Sequence, residues 1–212
     1  ELAKNKVNSA FNHYLAALKK DDANIIALVK LSKISTTAAL SKKYIKQLSY
    51  LVNLYPDRTF QRHTFADHLL KHNKFEQAKL QYQVLITQDI PTSKRGLALN
   101  NLAWLYHLNK NPKAKFLAEK AYKIEPNAVS IVDTYGTILA RQGEPAKGLE
   151  LLKRLVKNVP SNMSFQYHFA EALFLVGEKS KALKVLRAIE ESDQVFFEKK
   201  ASHELFKQLL GK

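Results

Sequence analysis

Between Asn100 and Pro126 the chain reads NNLAWLYHLNKNPKAKFLAEKAYKIEP, with small residues at Ala103, Ala114, Ala118 and Ala121 and large apolar residues between them. Apolar positions recurring every three to four residues predict two amphipathic helices, and NKNP at 109–112 predicts the turn that joins them. Small side chains at this spacing leave a shallow groove on one helix face, into which the ridges of a neighbouring helix pack. Each alanine is therefore predicted to mark a contact between the two helices of one hairpin.

The pattern repeats. Pro126 and Pro160 stand 34 residues apart, and Pro56 stands 70 before Pro126. Ten residues after each proline comes a small residue: Ala66, Gly136 and Ala170. Gly143 and Gly177 are also 34 apart, as are Gly148 and Ala182. Further turns are predicted at QGEP 142–145 and VGEK 176–179, with Pro112 and Pro145 as first-turn prolines and Gly143 and Gly177 as helix C-caps.

A period of 34 with these small positions resembles the tetratricopeptide repeat. Ala103, Gly136 and Ala170 match the small position of that family's first helix, with Tyr106, Leu139 and Leu173 three residues on. The second-helix positions are matched by Ala114, Ala118 and Ala121, by Gly148, Leu152 and Leu155, and by Ala182, Leu186 and Ile189. An earlier unit places Phe65, Ala66, Leu69, Ala78, Tyr82 and Leu85 in the same register, and the residues TSKRGL then lengthen the approach to the next. Before it lies a degenerate unit, with Ser32 at the small position and Tyr44 where a second small residue is expected. Ala10, Tyr14, Ala17 and Asp22 fit the second half of a repeat, and a half repeat at the start implies further repeats before residue 1. Phe197, Ala201, Leu205 and Leu209 form the stripe of a helix covering the last repeat.

The resemblance implies an all-α, right-handed superhelical solenoid of stacked antiparallel helix pairs, closed by a C-terminal capping helix. One domain of 212 residues is expected, divided as half repeat 1–22, degenerate repeat 23–57, repeats 58–91, 92–126, 127–160 and 161–193, and capping helix 194–212. A narrower resemblance, over roughly 93–211, rests on NNLAWLY, IVDTYGTILARQGEPAKGLELLKRLV and YHFAEALFLVGEKSKAL. These are similar to the C-terminal part of the tetratricopeptide lipoproteins of the PEP-CTERM/exosortase system, which accompany exopolysaccharide export in Gram-negative bacteria. That likeness implies a periplasmic or lipid-anchored parent; without it a cytoplasmic location is expected.

Composition changes this picture little, and charge changes it more. Abundant Ala, Leu and Lys with six Gly and six Pro favour helix. The absence of cysteine removes disulfides, zinc–thiolate sites and thiol catalysis, and no apolar run reaches the length of a transmembrane helix. The formal net charge is +15, from 34 Lys plus Arg against 19 Asp plus Glu, and only six of the cations are Arg. Two readings stand: a solvated lysine-rich outer face, favoured by the spread of lysines along the chain, or a surface for an acidic partner such as an anionic polysaccharide.

In the resembled family the concave wall, built mainly by first helices, binds extended peptides or partner helices. Its inner positions, carried over residue by residue, are Phe60, His63, Asp67 and Lys71, then Asn100, Trp104, His107 and Leu108, then Asp133, Thr137 and Arg141, then Tyr167, Glu171 and Phe174. Trp104, the only tryptophan, offers a ring to a ligand or packs on the next first helix. The family's Lys/Asn/Arg carboxylate clamp is matched by an isolated Asn and by Arg141 only, which disfavours a co-chaperone role. The inner positions change irregularly from unit to unit and include Asp67, Asp133 and Glu171, which argues against sequence-specific nucleic-acid recognition. His63 with Asp67 and His68 with His72 have metal-compatible i,i+4 spacing, but no third ligand, phosphate loop or nucleophile motif accompanies them. The histidines are read as surface residues, and the chain as a non-enzymatic scaffold for a protein or peptide, with no cofactor.

Overall fold

Connectors of three or four residues join most consecutive helices and favour the packing of neighbours as hairpins, while six residues (86–91) and eight (191–198) separate two of the pairs. The computed structural model describes residues 2–211, and all the regular structure among them is helical. Two compact units form, residues 1–91 and 92–212. The first holds α1 (Leu2–Lys20), α2 (Ile25–Ile34), α3 (Ala38–Leu54), α4 (Thr59–Lys71) and α5 (Phe75–Leu85). The second holds α6 (Thr92–Leu108), α7 (Lys113–Ile124), α8 (Val129–Arg141), α9 (Pro145–Asn158), α10 (Met163–Leu175), α11 (Lys179–Glu190) and α12 (Lys199–Leu209). The division falls where TSKRGL lengthens α6 to 17 residues, against 13 in α4, α8 and α10.

The small positions sit where the hairpins close. Ala66, Ala78, Ala103, Ala114, Ala170 and Ala182 are each fully buried. Between α8 and α9 the approach is tightest: a β-carbon on Gly148 would lie 2.5 Å from the Gly136 carbonyl oxygen and 2.7 Å from the Ala140 nitrogen. Large residues of the same register fill in around them, with Leu69, Tyr82, Leu85, Leu152 and Leu186 at zero exposure.

One turn geometry recurs four times. Asn73, Lys110, Gly143 and Gly177 have φ of +57°, +52°, +94° and +87°. After each, the next N–H reaches back to a carbonyl five residues earlier: Lys74 to Leu69 at 2.8 Å, and Asn111 to Tyr106, Glu144 to Leu139 and Glu178 to Leu173 at 2.9 Å each. These are Schellman ends, which require a left-handed residue and so favour glycine. Pro145 opens α9 as expected, whereas Pro112 stands one residue outside α7, as its N-cap.

The degenerate pair departs from the pattern for a steric reason. Tyr44 occupies the place of a small residue, is completely buried, and donates its hydroxyl to the Leu28 carbonyl at 2.7 Å. A ring in that place keeps α2 off α3, and α2 packs mainly on α1. On α1 the structure buries Phe11 and Leu18, while Ala10, Tyr14 and Ala17 are half-buried, since the described residues provide no first helix against that stripe. The expected stripe of the last helix needs correction too. Phe197 precedes α12 and is 78% exposed; Ser202 and Leu205 are the buried residues, with Phe196, Ala201 and Leu209 packed beside them on a cluster that includes Tyr167 and Ile189.

Two stability outcomes follow. Alanine exceeds glycine in helix propensity by about 1 kcal/mol, but backbone atoms cannot yield to the new β-carbon, so Gly148→Ala is expected to cost about 1–3 kcal/mol. A urea midpoint unchanged by this substitution would show that α8 and α9 separate freely. Lys110→Gly removes a left-handed penalty of roughly 1–2 kcal/mol at some cost in unfolded-state entropy, and is expected to raise the midpoint, whereas Lys110→Ala is not.

Candidate partner-binding face

In the second unit the first helices α6, α8 and α10 are stitched together by side chains at their inner positions. Arg141, the last residue of α8, donates from Nη1 to His107 Nε2 at 3.1 Å and from Nε to Glu171 Oε2 at 2.8 Å. Accepting that bond requires a neutral His107 with its proton on Nδ1, a tautomer assigned from the hydrogen-bond pattern. Burial, the Arg141 charge and His168 push the His107 pKa down to about 4, which keeps it neutral. The Trp104 ring lies tilted beside His107, 5.6 Å between centroids, and is half-buried. A cavity of about 800 Å³ opens beside Arg141, lined also by His107, Lys110, Lys115 and Gln142.

A second bridge runs deeper. His168 on α10, 3% exposed, sits 2.7 Å from Asp133 of α8 through Nδ1 and 3.7 Å from Glu198 through Nε2. Ser164 donates to the other Glu198 oxygen at 2.7 Å, and Glu198 is the N-cap residue of α12. Asp133 thus ties helices together.

In the first unit Asp67 on α4 is held between His63, at 3.5 Å, and the Tyr82 hydroxyl, which donates to it at 2.5 Å. Lys71 is exposed and Phe60 is 37% exposed. The structure overturns the surface reading of His68. It is 1% exposed, faces Tyr44 edge to ring at 4.9 Å, lies 3.1 Å from the Ser41 hydroxyl, and its pKa is pushed down to about 4, chiefly by burial and then by His72 and Lys71. Among the described residues no group of three or more His, Cys, Asp or Glu is placed to hold a metal ion.

Of the inner positions read from sequence, the second unit brings Trp104, His107, Arg141 and Glu171 together on one face with partial access to solvent. It buries Asn100, Thr137 and Tyr167 at 5%, 1% and 5% exposure, so these side chains line the core and not the face. Leu108 is exposed beside His107, and Phe174 packs on the cluster under α11 and α12. Two inner residues of the first unit went unread: Ile26 and Val29, exposed on α2 by 70% and 38%. Stepping back 34 residues from Phe60 and His63 reaches both.

Residues 107–189 match the family model described as Anaphase-promoting complex, cyclosome, subunit 3. The chain is 23% identical over 222 residues to the DnaJ homolog subfamily C member 3 of Gallus gallus, covering 98% of this chain and 43% of that one. The crystal structure of a tetratricopeptide repeat protein from Parabacteroides merdae superposes with a TM-score of 0.73 at 14% identity, over 99% of this chain and 82% of that one. The crystal structure of YrrB, a TPR protein with an unusual peptide-binding site, does so with a TM-score of 0.65 at 12% identity, over 94% and 98%. At these identities the structural likeness speaks for the fold alone.

The two depressed histidines set a pH dependence. With native pKa values of about 4 against 6.5 unfolded, the unfolded chain binds more protons between those limits. Their contribution is complete above pH 6.5 and declines as pH falls toward 4. His68→Gln, which cannot titrate, is expected to show a smaller drop in urea midpoint between about pH 7 and pH 4.5. Parallel drops in both proteins would assign the acid loss to carboxylates instead.

Proposed function

We propose, from the premise that this chain has the tetratricopeptide-repeat fold, that it is a non-enzymatic scaffold binding an extended protein segment on the first-helix face of its second unit. The carrying observation is the His107–Arg141–Glu171 connection, which joins α6, α8 and α10 into one fixed surface with the Trp104 ring beside it. A ring and a guanidinium already oriented by neighbours lose little freedom on binding, the general character of residues that dominate interfaces. Lys110 supports the same reading. It holds a left-handed conformation where Gly143 and Gly177 stand in later turns, and it lines the cavity beside Arg141. The match to a subunit of a multiprotein complex, and the peptide-binding site for which YrrB is described, agree with a protein partner. The narrower likeness to PEP-CTERM/exosortase lipoproteins extends the proposal to an envelope assembly for exopolysaccharide export.

The test is recovery of partners from native lysate on the wild-type chain and on Trp104→Ala, washed at low and moderate salt, with protein, nucleic acid and polysaccharide all assayed. A discrete protein retained at moderate salt and reduced at least tenfold by Trp104→Ala is expected. Anionic polymer recovered only at low salt, and equally by both forms, would replace this reading with electrostatic capture by the lysine-rich surface.

A further inference from the structure

Helices α1, α2 and α3 together contain nine lysines and no acidic residue. Between residues 2 and 54 the only carboxylates are Asp21 and Asp22, in the turn after α1. A cavity of about 550 Å³ opens between α1 and α3, and Lys19, Lys43 and Lys46 line it. Asp22 lines it too, but its charge is committed: Arg58 donates to it at 2.5 Å, and that bond, followed by one from the Tyr55 hydroxyl, holds its carboxyl below the ordinary range. Among the described residues the three lysines form no ion pair. Three cations around one concavity, without counter-charge, attract an anionic group.

The wall of the cavity narrows the ligand class. Leu15, half-buried, and Tyr50, 58% exposed, are the apolar residues a ligand can reach, with Leu18 and Leu51 wholly buried behind them. A phosphodiester or sugar laid on Leu15 would lose hydration of its oxygens without new hydrogen bonds. Single-stranded nucleic acid also favours successive aromatic platforms, whereas among the described residues Tyr50 is the one ring on the cavity wall. An apolar side chain fits against Leu15 and the Tyr50 ring, while carboxylates on either side of it meet the lysines.

We infer that this cavity on the first unit docks an acidic polypeptide segment carrying one apolar anchor between its carboxylates. Lysine, a point charge on a flexible stem, selects for charge rather than for a fixed carboxylate geometry. The binding therefore tolerates variation in where the acids stand, weakens with salt, and depends on the anchor. The site lies on second helices of the first unit and does not rest on the face proposed for the second.

The experiment is anisotropy titration of the full chain against the fluorescein-labelled peptides EELEE and EESEE at low salt. Circular dichroism confirms that each variant is folded. EELEE is expected to bind several-fold more tightly than EESEE. Lys43→Glu with Lys46→Glu is expected to weaken it at least about tenfold, while Lys4→Glu with Lys6→Glu, the same change in net charge on exposed residues of α1, weakens it less than about twofold. Absence of binding, equal affinity for the two peptides, or equal loss in the two double variants would overturn the site in favour of a diffuse polycation. A uridine oligonucleotide of matched charge that binds more tightly than EELEE, and is lost with Lys43 and Lys46, would reassign the cavity to nucleic acid.

Discussion

The approach of the Gly136 carbonyl to Gly148 is the contact on which the hairpin geometry depends. A single β-carbon on Gly148 would stand 2.5 Å from that oxygen, so the helices meet backbone to backbone. Hairpins closed this tightly at small residues leave the large side chains to fill the space beside the contact, which is why Leu152, Leu155 and Leu139 are buried around it. Closure also needs a turn short enough to return the chain at once. The left-handed residues Asn73, Lys110, Gly143 and Gly177 supply it while satisfying the carbonyls at the helix ends.

The exception in the first unit confirms the constraint from the opposite side. Tyr44 cannot allow a backbone approach, and its buried hydroxyl must find a partner, which it does in the Leu28 carbonyl. Helix α2 then rests mainly on α1, with Ile25, Ile26 and Val29 left open to solvent. One large residue in the small-residue register thus changes the packing of a pair without changing the order of helices.

The helices, turns and small positions were legible in the sequence because each depends on residues within one hairpin, where periodicity and sterics act together. The polar connections were not. The register puts His107, Arg141 and Glu171 on neighbouring helices, but whether Arg141 turns to its neighbours or to solvent is decided by rotamers and burial. Asn100, Thr137 and Tyr167 occupy inner positions and yet face the core, since a first helix packs on three sides and an inner position differs from a buried one by a few tens of degrees. Phe197 fits the stripe of α12 by spacing but precedes the helix, and helix ends are the least legible feature of a periodic pattern. Lysines spread along the sequence looked like a solvated face; Lys19 and Lys46 reach one cavity only because α1 and α3 flank it.

Charge is distributed differently in the two units, and this bears on what each can bind. In the second unit several cations are answered by carboxylates: Lys115 and Lys147 both meet Glu144, whose pKa they hold down to about 2, Lys123 meets Glu119, and Arg141 meets Glu171. Exposed pairs of this kind add little stability, but they fix direction, and Arg141 is presented in one orientation because both of its neighbours accept from it. The buried Asp133–His168 contact ties α8 to α10, and Ser164 of α10, donating to Glu198, fixes the start of α12 against them. A surface held in this way is suited to selection by shape, which is expected to survive moderate salt. Where α1–α3 offer lysines and no acids, the field extends into solvent, so attraction there is longer in range, less particular about geometry and sensitive to ionic strength. The two proposed sites thus differ in whether their cations have partners within the chain, and as proposed the same repeat would carry two kinds of recognition.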